Sequence, residues 1–140
     1  MKRFSAPLAL LLVLLSAAAV GSGPDPGTDA TLGRLGKQRR DAARRTYEAL
    51  WANYRERLAS EDTLYRWSLR WLEAERQLTD RPADQAAAAA GHWERMRALE
   101  RLMGNLQRAG QATVQEVSAA EFYRAEAEIW LLQAKARKDR

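Results

Sequence analysis

The sequence has no cysteine, one histidine (His92) and only 4 prolines among 140 residues. Without cysteine, three chemistries disappear together: a lipid-modified N-terminal cysteine, a disulfide framework and thiol catalysis. His92 has neither a cysteine nor a second histidine with which to share a metal, so it is expected on the surface or at a helix cap, with metal ligation the weaker alternative. There is no CxxCH motif, which disfavours a haem; His92 paired with Met96 or Met103 would be the remaining axial set in a bundle. No segment alternates apolar and polar residues as a strand does. No cofactor is expected.

What is present is an apolar fraction of 46% with 29% charged residues and 8 glycines, the balance of one folded helical domain rather than a disordered chain. The first residues, MKRFSAPLALLLVLLSAAAVGSG, set two positive charges before an apolar run and end in small residues, the layout of a secretory signal peptide over residues 1–21. The run from Ala6 to Val20 is about 15 residues, short of the roughly 20 that cross a bilayer, so cleavage is expected and no transmembrane segment remains after it. This places the mature protein in the bacterial periplasm or outside the cell. Removal of Lys2 and Arg3 leaves 21 of the 23 basic residues against 18 acidic ones. That balance is too even to argue for a nucleic-acid partner.

Residues 21 to 36, GSGPDPGTDATLGRLG, hold five of the eight glycines and two of the four prolines, so residues 22–37 are expected to form a flexible leader. A helical domain follows over 38–138, with helices expected at 38–57, 61–79, 83–109 and 113–138. The first carries Tyr47, Leu50, Trp51, Tyr54 and Leu58 at three- and four-residue steps. The second places Leu64, Trp67, Trp71, Ala74 and Leu78 on a heptad seam, with Ser60 as N-cap and Glu61 and Asp62 in the first turn. TDRPAD breaks the chain, and Pro82 and the alanine run 86–90 restart it. The third helix carries Trp93, Met96, Leu99, Met103 and Leu106 and stops at Gly110. Thr113 and Glu116 form a capping box for the fourth. Two stripes run along that helix: Val117, Ala120, Ala127 and Leu131 on one, Phe122, Ala125, Ile129 and Leu132 on the other.

A shift of 53 residues lays Ser60 on Thr113, Leu64 on Val117, Glu73-Ala74-Glu75 on Glu126-Ala127-Glu128 and Leu78 on Leu131. Arg57 stands where the second copy has Gly110. Each copy reads as an αα-hairpin, and the chain as an all-α antiparallel four-helix bundle or coiled-coil-like assembly of two hairpins. The segments YEALWANYRERLASEDTLYRWSLRWLEAERQL and RALERLMGNLQRAGQATVQEVSAAEFYRAEAEIWLLQAKA resemble the helical-hairpin tips of TolC-type outer-membrane efflux proteins. The matching positions are Gly110, Thr113, Glu116 and Val117, with Ser60, Thr63 and Leu64 as a degenerate first copy. The resemblance implies a hairpin whose tip packs against the hairpin of a periplasmic adaptor. A channel is excluded: helices of 20 to 27 residues span only about 30 to 40 Å at 1.5 Å per residue, and no membrane strands are present.

The helical carboxylates Glu73, Glu75, Glu121, Glu126 and Glu128 can bind a cation or act as acid and base; as solvated partners of nearby arginines, such as Glu121 with Arg124, they need no such role. Trp51, Trp67 and Trp71 are expected in the core, and Trp130 beside Phe122 and Ile129 on a partner-binding face. The chain is therefore expected to be an exported, non-catalytic protein acting by helix–helix contact, through self-association or another envelope protein. The competing readings are a helical enzyme or ligand binder with Arg66, Arg70, Glu73 and Arg124 converging between the helices, and a periplasmic holdase or metal-stress protein.

Overall fold

A computed structural model describes residues 26–54 and 59–138. Residues 1–21, where a signal peptide is expected, residues 22–25 of the expected leader and residues 55–58, with Arg57 and Leu58, lie outside the described residues. Four helices follow one another: α1 Pro26–Tyr54, α2 Glu61–Arg76, α3 Pro82–Arg108 and α4 Val114–Lys138. The described residues contain no strand. α1 packs along α2 and α3 along α4, and the two hairpins meet mainly where α2 lies on α3, with a smaller α2–α4 contact. α1 reaches α3 through side chains, as where the Tyr54 hydroxyl lies 3.1 Å from Met103 Sδ. Such a four-helix assembly of two hairpins matches the repeat in the sequence. Ala74 and Ala127, one repeat length apart, are both fully buried.

One boundary differs substantially. The glycine-rich stretch 26–37, where a flexible leader is expected, is helical, so α1 begins at Pro26 rather than at 38. Pro26 suits the first helical position and Asp29 lies in the first turn, where the helix dipole favours an acid. Gly36 lies close to the end of the first hairpin: a Cβ there would lie 2.8 Å from Leu78 Cδ2, so a larger residue would require that leucine side chain to shift. α2 ends at Arg76, three residues earlier than its pattern predicts, and Gln77 caps it.

Local chemistry accounts for the other ends. The Ser60 side chain accepts from the Thr63 amide at 3.2 Å as the N-cap of α2. In the link to α3, the Thr79 hydroxyl and Arg81 guanidinium both donate to Asp84, at 3.0 and 2.7 Å, which holds that carboxyl below its ordinary pKa. Gly110 has φ +70°, and its amide donates to Gln107 O while that of Gln111 donates to Leu106 O, a Schellman closure of α3. Three residues on, the Glu116 carboxylate accepts from the Thr113 amide at 2.7 Å and the Thr113 hydroxyl accepts from the Glu116 amide at 3.2 Å.

The larger core cluster joins Tyr47, Tyr54, Leu64, Met96, Leu99, Met103, Ala120 and Ala127. A smaller one at the other end joins Ala86, Ala89, Leu131 and Ala134, and Trp93 packs against both. The tryptophans expected to fill the core, Trp51, Trp67 and Trp71, are half-buried at its margin. On α2 the fully buried positions are Leu64, Ser68, Leu72 and Ala74, because α2 has neighbours on two sides and buries a broader face than a single heptad seam.

The left-handed turn at Gly110 yields a stability order. Gly110→Ala is expected to lower the unfolding free energy by about 1 kcal/mol and Gly110→Asn by less, because asparagine tolerates φ > 0 better than alanine. Urea midpoints with unchanged m-values would check this; an alanine variant as stable as the parent would contradict it.

Candidate functional site

Two features stand apart from ordinary core packing. The first is the outward face of α4. Ala120, Ala127, Leu131 and Ala134 are buried, while Val114 (73%), Phe122 (61%), Ile129 (54%) and Leu132 (59%) stay exposed on the opposite side. With Ser118, Ala125 and Ala136 these positions follow steps of four, four, three, four, three and four residues, the spacing of a coiled-coil seam. Of the residues expected together on this face, Phe122 and Ile129 lie on it and Trp130 does not. The Trp130 ring turns inward and stacks on His92, with centroids 5.7 Å apart and planes 21° apart. Ser60, Gly110, Thr113 and Glu116 sit at the hairpin turns, engaged in the capping contacts already described.

The second feature is a buried polar cluster where α2 meets α3. His92, expected at the surface, is fully buried, and so is Ser68. Ser68 on the facing helix supplies a polar partner: its Oγ lies 2.8 Å from His92 Nδ1. Arg95 Nε donates to the same Oγ at 2.6 Å and its Nη2 to Ser68 O at 3.3 Å. The Ser68 oxygen thus lies between the Arg95 guanidinium, which donates to it, and the His92 ring. Burial, then the neighbouring Arg95 charge, push the His92 pKa down to about 3. Among the described residues Nε2 has no hydrogen-bond partner, and neither do the indole nitrogens of Trp71 and Trp93.

The Arg95 guanidinium lies over Trp71, 3.9 Å from the ring centroid, and 5.7 Å from the centroid of Tyr47. Burial lowers its pKa to about 10, an effect that Glu75 and Tyr47 partly offset, and burial lifts the Tyr47 phenol to about 12 despite the Arg95 charge. Arg95 lines a cleft of about 700 Å3 between α1, the end of α2 and the start of α3, together with Lys37, Trp71, Glu75, Ala87 and Gly91. Neither Ser68 nor His92 lines this cleft. The serine–histidine pair therefore lacks the exposed oxygen that nucleophilic attack needs.

The charged residues considered for a pocket are dispersed. Arg66 pairs with Asp62 on the surface, Arg70 lies over Trp67 at 4.5 Å, and Glu73 is exposed. Arg124 pairs with Glu100 at 3.2 Å and Glu128 at 2.6 Å rather than with Glu121, because α3 brings Glu100 to its side of α4. Between the hairpins Tyr65 stacks on Tyr123, centroids 4.1 Å apart, and donates to Glu126 at 2.6 Å; burial and that hydrogen bond raise its pKa. Among the described residues no group of three His, Asp or Glu side chains is placed to hold a metal ion. No helix among them is long and apolar enough to cross a membrane.

The described residues define an all-α, two-hairpin protein with an exposed apolar face on α4 and a cleft beside Arg95. No family model, no curated protein and no solved structure matches it. The residues expected in a pocket did not include Arg95, Ser68 and Trp71, which the structure brings together. The available signal was Arg95 itself, an arginine between His92 and Leu99 on the inward stripe of α3.

His92 makes stability depend on pH with a definite sign. Its folded pKa lies below the unfolded value, so its contribution is complete above about pH 6.5 and is lost as pH falls toward 3, where only the unfolded chain takes up the proton. The loss approaches about 1.4 kcal/mol per pH unit inside that window. Unfolding free energies from pH 7 to 4 should fall more steeply for the parent than for His92→Gln; parallel curves would contradict the buried neutral imidazole.

Proposed function

We propose that this is an exported, non-catalytic helical protein of the bacterial envelope that works by helix–helix contact, with the outer seam of α4 as the contact surface. The observation that carries the reading is the exposure of Phe122, Ile129 and Leu132 on the side of α4 opposite its buried alanines. Large apolar side chains at coiled-coil spacing are the form in which a helix meets another helix. The export layout of residues 1–21 supports the compartment. Similarity of the turns at Ser60 and Gly110–Thr113 to TolC-type hairpin tips supports a hairpin as the working unit.

The occupant is a second copy of the chain, paired antiparallel. Every glutamate of α4 precedes Ile129, and Lys135, Arg137 and Lys138 form its last turn. Antiparallel pairing about Ile129 sets Glu121 against Arg137 of the second copy and the large Phe122 against the small Ala136, a self-complementary twofold arrangement. Parallel pairing would oppose like charges along the helix.

Light scattering coupled to size exclusion on the signal-free chain should report a dimer that dissociates on dilution. Ile129→Glu should return the monomer while leaving the circular dichroism and melting temperature near the parent values, since the side chain is more than half exposed. A parent that stays monomeric at every concentration, or an Ile129→Glu variant that still dimerises, would overturn the proposal.

A further inference from the structure

We infer that the cleft beside Arg95 binds an amphipathic organic anion, a single carboxylate on an apolar body such as a medium-chain fatty acid. Its volume of about 700 Å3 falls within the ~300–1,000 Å3 of small-molecule sites. The walls divide by chemistry. Gly33, Trp71, Leu78, Ala87, Ala88 and Gly91 offer apolar surface, whereas Lys37, Arg40 and Arg95 bring positive charge and Glu75 and Asp84 negative.

Local pairing leaves two of these cations over. Asp41 holds Arg40 at 2.7 Å, and Arg81 holds Asp84 at 2.7 Å. Arg95 and Lys37 have no carboxylate within ion-pair distance among the described residues, and the opposing charge left in the cleft is Glu75. Arg95 is the unusual one. Its Nε and Nη2 are committed to Ser68, while Nη1 makes no hydrogen bond to a described residue. That Nη1 lies at the cleft wall, where a Cβ on Gly91 would approach it to 3.3 Å. A half-buried guanidinium, fixed by Ser68 and Trp71 and with its remaining donors free, is preorganised for a carboxylate. The alanines and Gly91 beyond it leave room for a chain rather than for a compact ion such as phosphate.

The proposal does not depend on how α4 is used, and the two are separable by experiment. Titration of the signal-free chain with dodecanoate below its micelle concentration, followed by calorimetry, should show one site per chain. Dodecanol and dodecyltrimethylammonium, with the same tail and a neutral or positive head, should bind at least about tenfold more weakly, the scale of one lost charge-assisted hydrogen bond. Lys37→Gln should weaken dodecanoate several-fold and Glu75→Gln should tighten it by removing the opposing charge. Ala87 is exposed on the cleft wall, so Ala87→Phe should abolish binding without disturbing the fold. Ile129→Glu should leave it intact, which separates the cleft from the apolar seam. Equal affinity for dodecanol, binding that survives Ala87→Phe, or binding lost in Ile129→Glu would each overturn the inference.

Discussion

The close approach of α3 and α4 over alanine is the constraint on which the rest of the molecule depends. Ala120, Ala127 and Ala134 recur every seventh residue along the inner face of α4. At the hairpin-tip end they receive Met96, Leu99 and Met103, and toward the interhelical link the sizes reverse, with Ala86 and Ala89 receiving Leu131. Small residues opposite large ones let the backbones come close and fill the space at interior density. The consequence is asymmetric, because α4 spends its alanines inward and its Phe122, Ile129 and Leu132 outward. A helix arranged in that way has buried its small residues and left its largest apolar ones in water.

The two hairpins are joined differently. Where α2 crosses onto α3 the interior is polar at one point, and Ser68 is the hinge of the arrangement: it faces both His92 and Arg95. Arg95 then extends over Trp71 toward Tyr47, so a side chain rather than a backbone contact ties α1 to α3. The cleft is the space left under that span, where the small residues Ala87, Ala88 and Gly91 of α3 face Gly33 and Lys37 of α1. The same interactions that hold the hairpins together keep the guanidinium in place at the cleft wall. A half-buried cation without a carboxylate in contact is costly, and the ring faces and serine oxygens offset only part of that cost.

Much of this was legible in the chain before any coordinates. Capping at Ser60, Thr113 and Glu116 and the left-handed turn at Gly110 are local events within a few residues, and each sits where its residue type requires. Met96, Leu99 and Met103 follow from three- and four-residue spacing alone. Failures occur where a distant neighbour decides. The glycines before residue 38 favour a loose leader by their entropy, yet Gly36 is helical against Leu78, 42 positions away in the link that follows α2. His92 looks solvated because histidine usually is; Ser68, 24 residues earlier, gives its Nδ1 a hydrogen-bond partner inside the core. Trp130 belongs by spacing near the outer stripe and turns inward because the imidazole offers it a flat surface. Arg124 has Glu121 within helical reach, but Glu100 of the neighbouring helix competes successfully for it.

By itself the sequence determined an all-α chain, its division into two hairpins, and the places where three of the helices turn or start. These depend on backbone propensity, capping and periodicity, which act over a turn or two of helix. Only the tertiary structure decided that Phe122, Ile129 and Leu132 remain outside, that His92 and Ser68 are buried together, and that Arg95 stands at the wall of a cleft. Those outcomes depend on which helix lies against which face, and the spacing along one helix carries no information about the side chains that another helix brings to it.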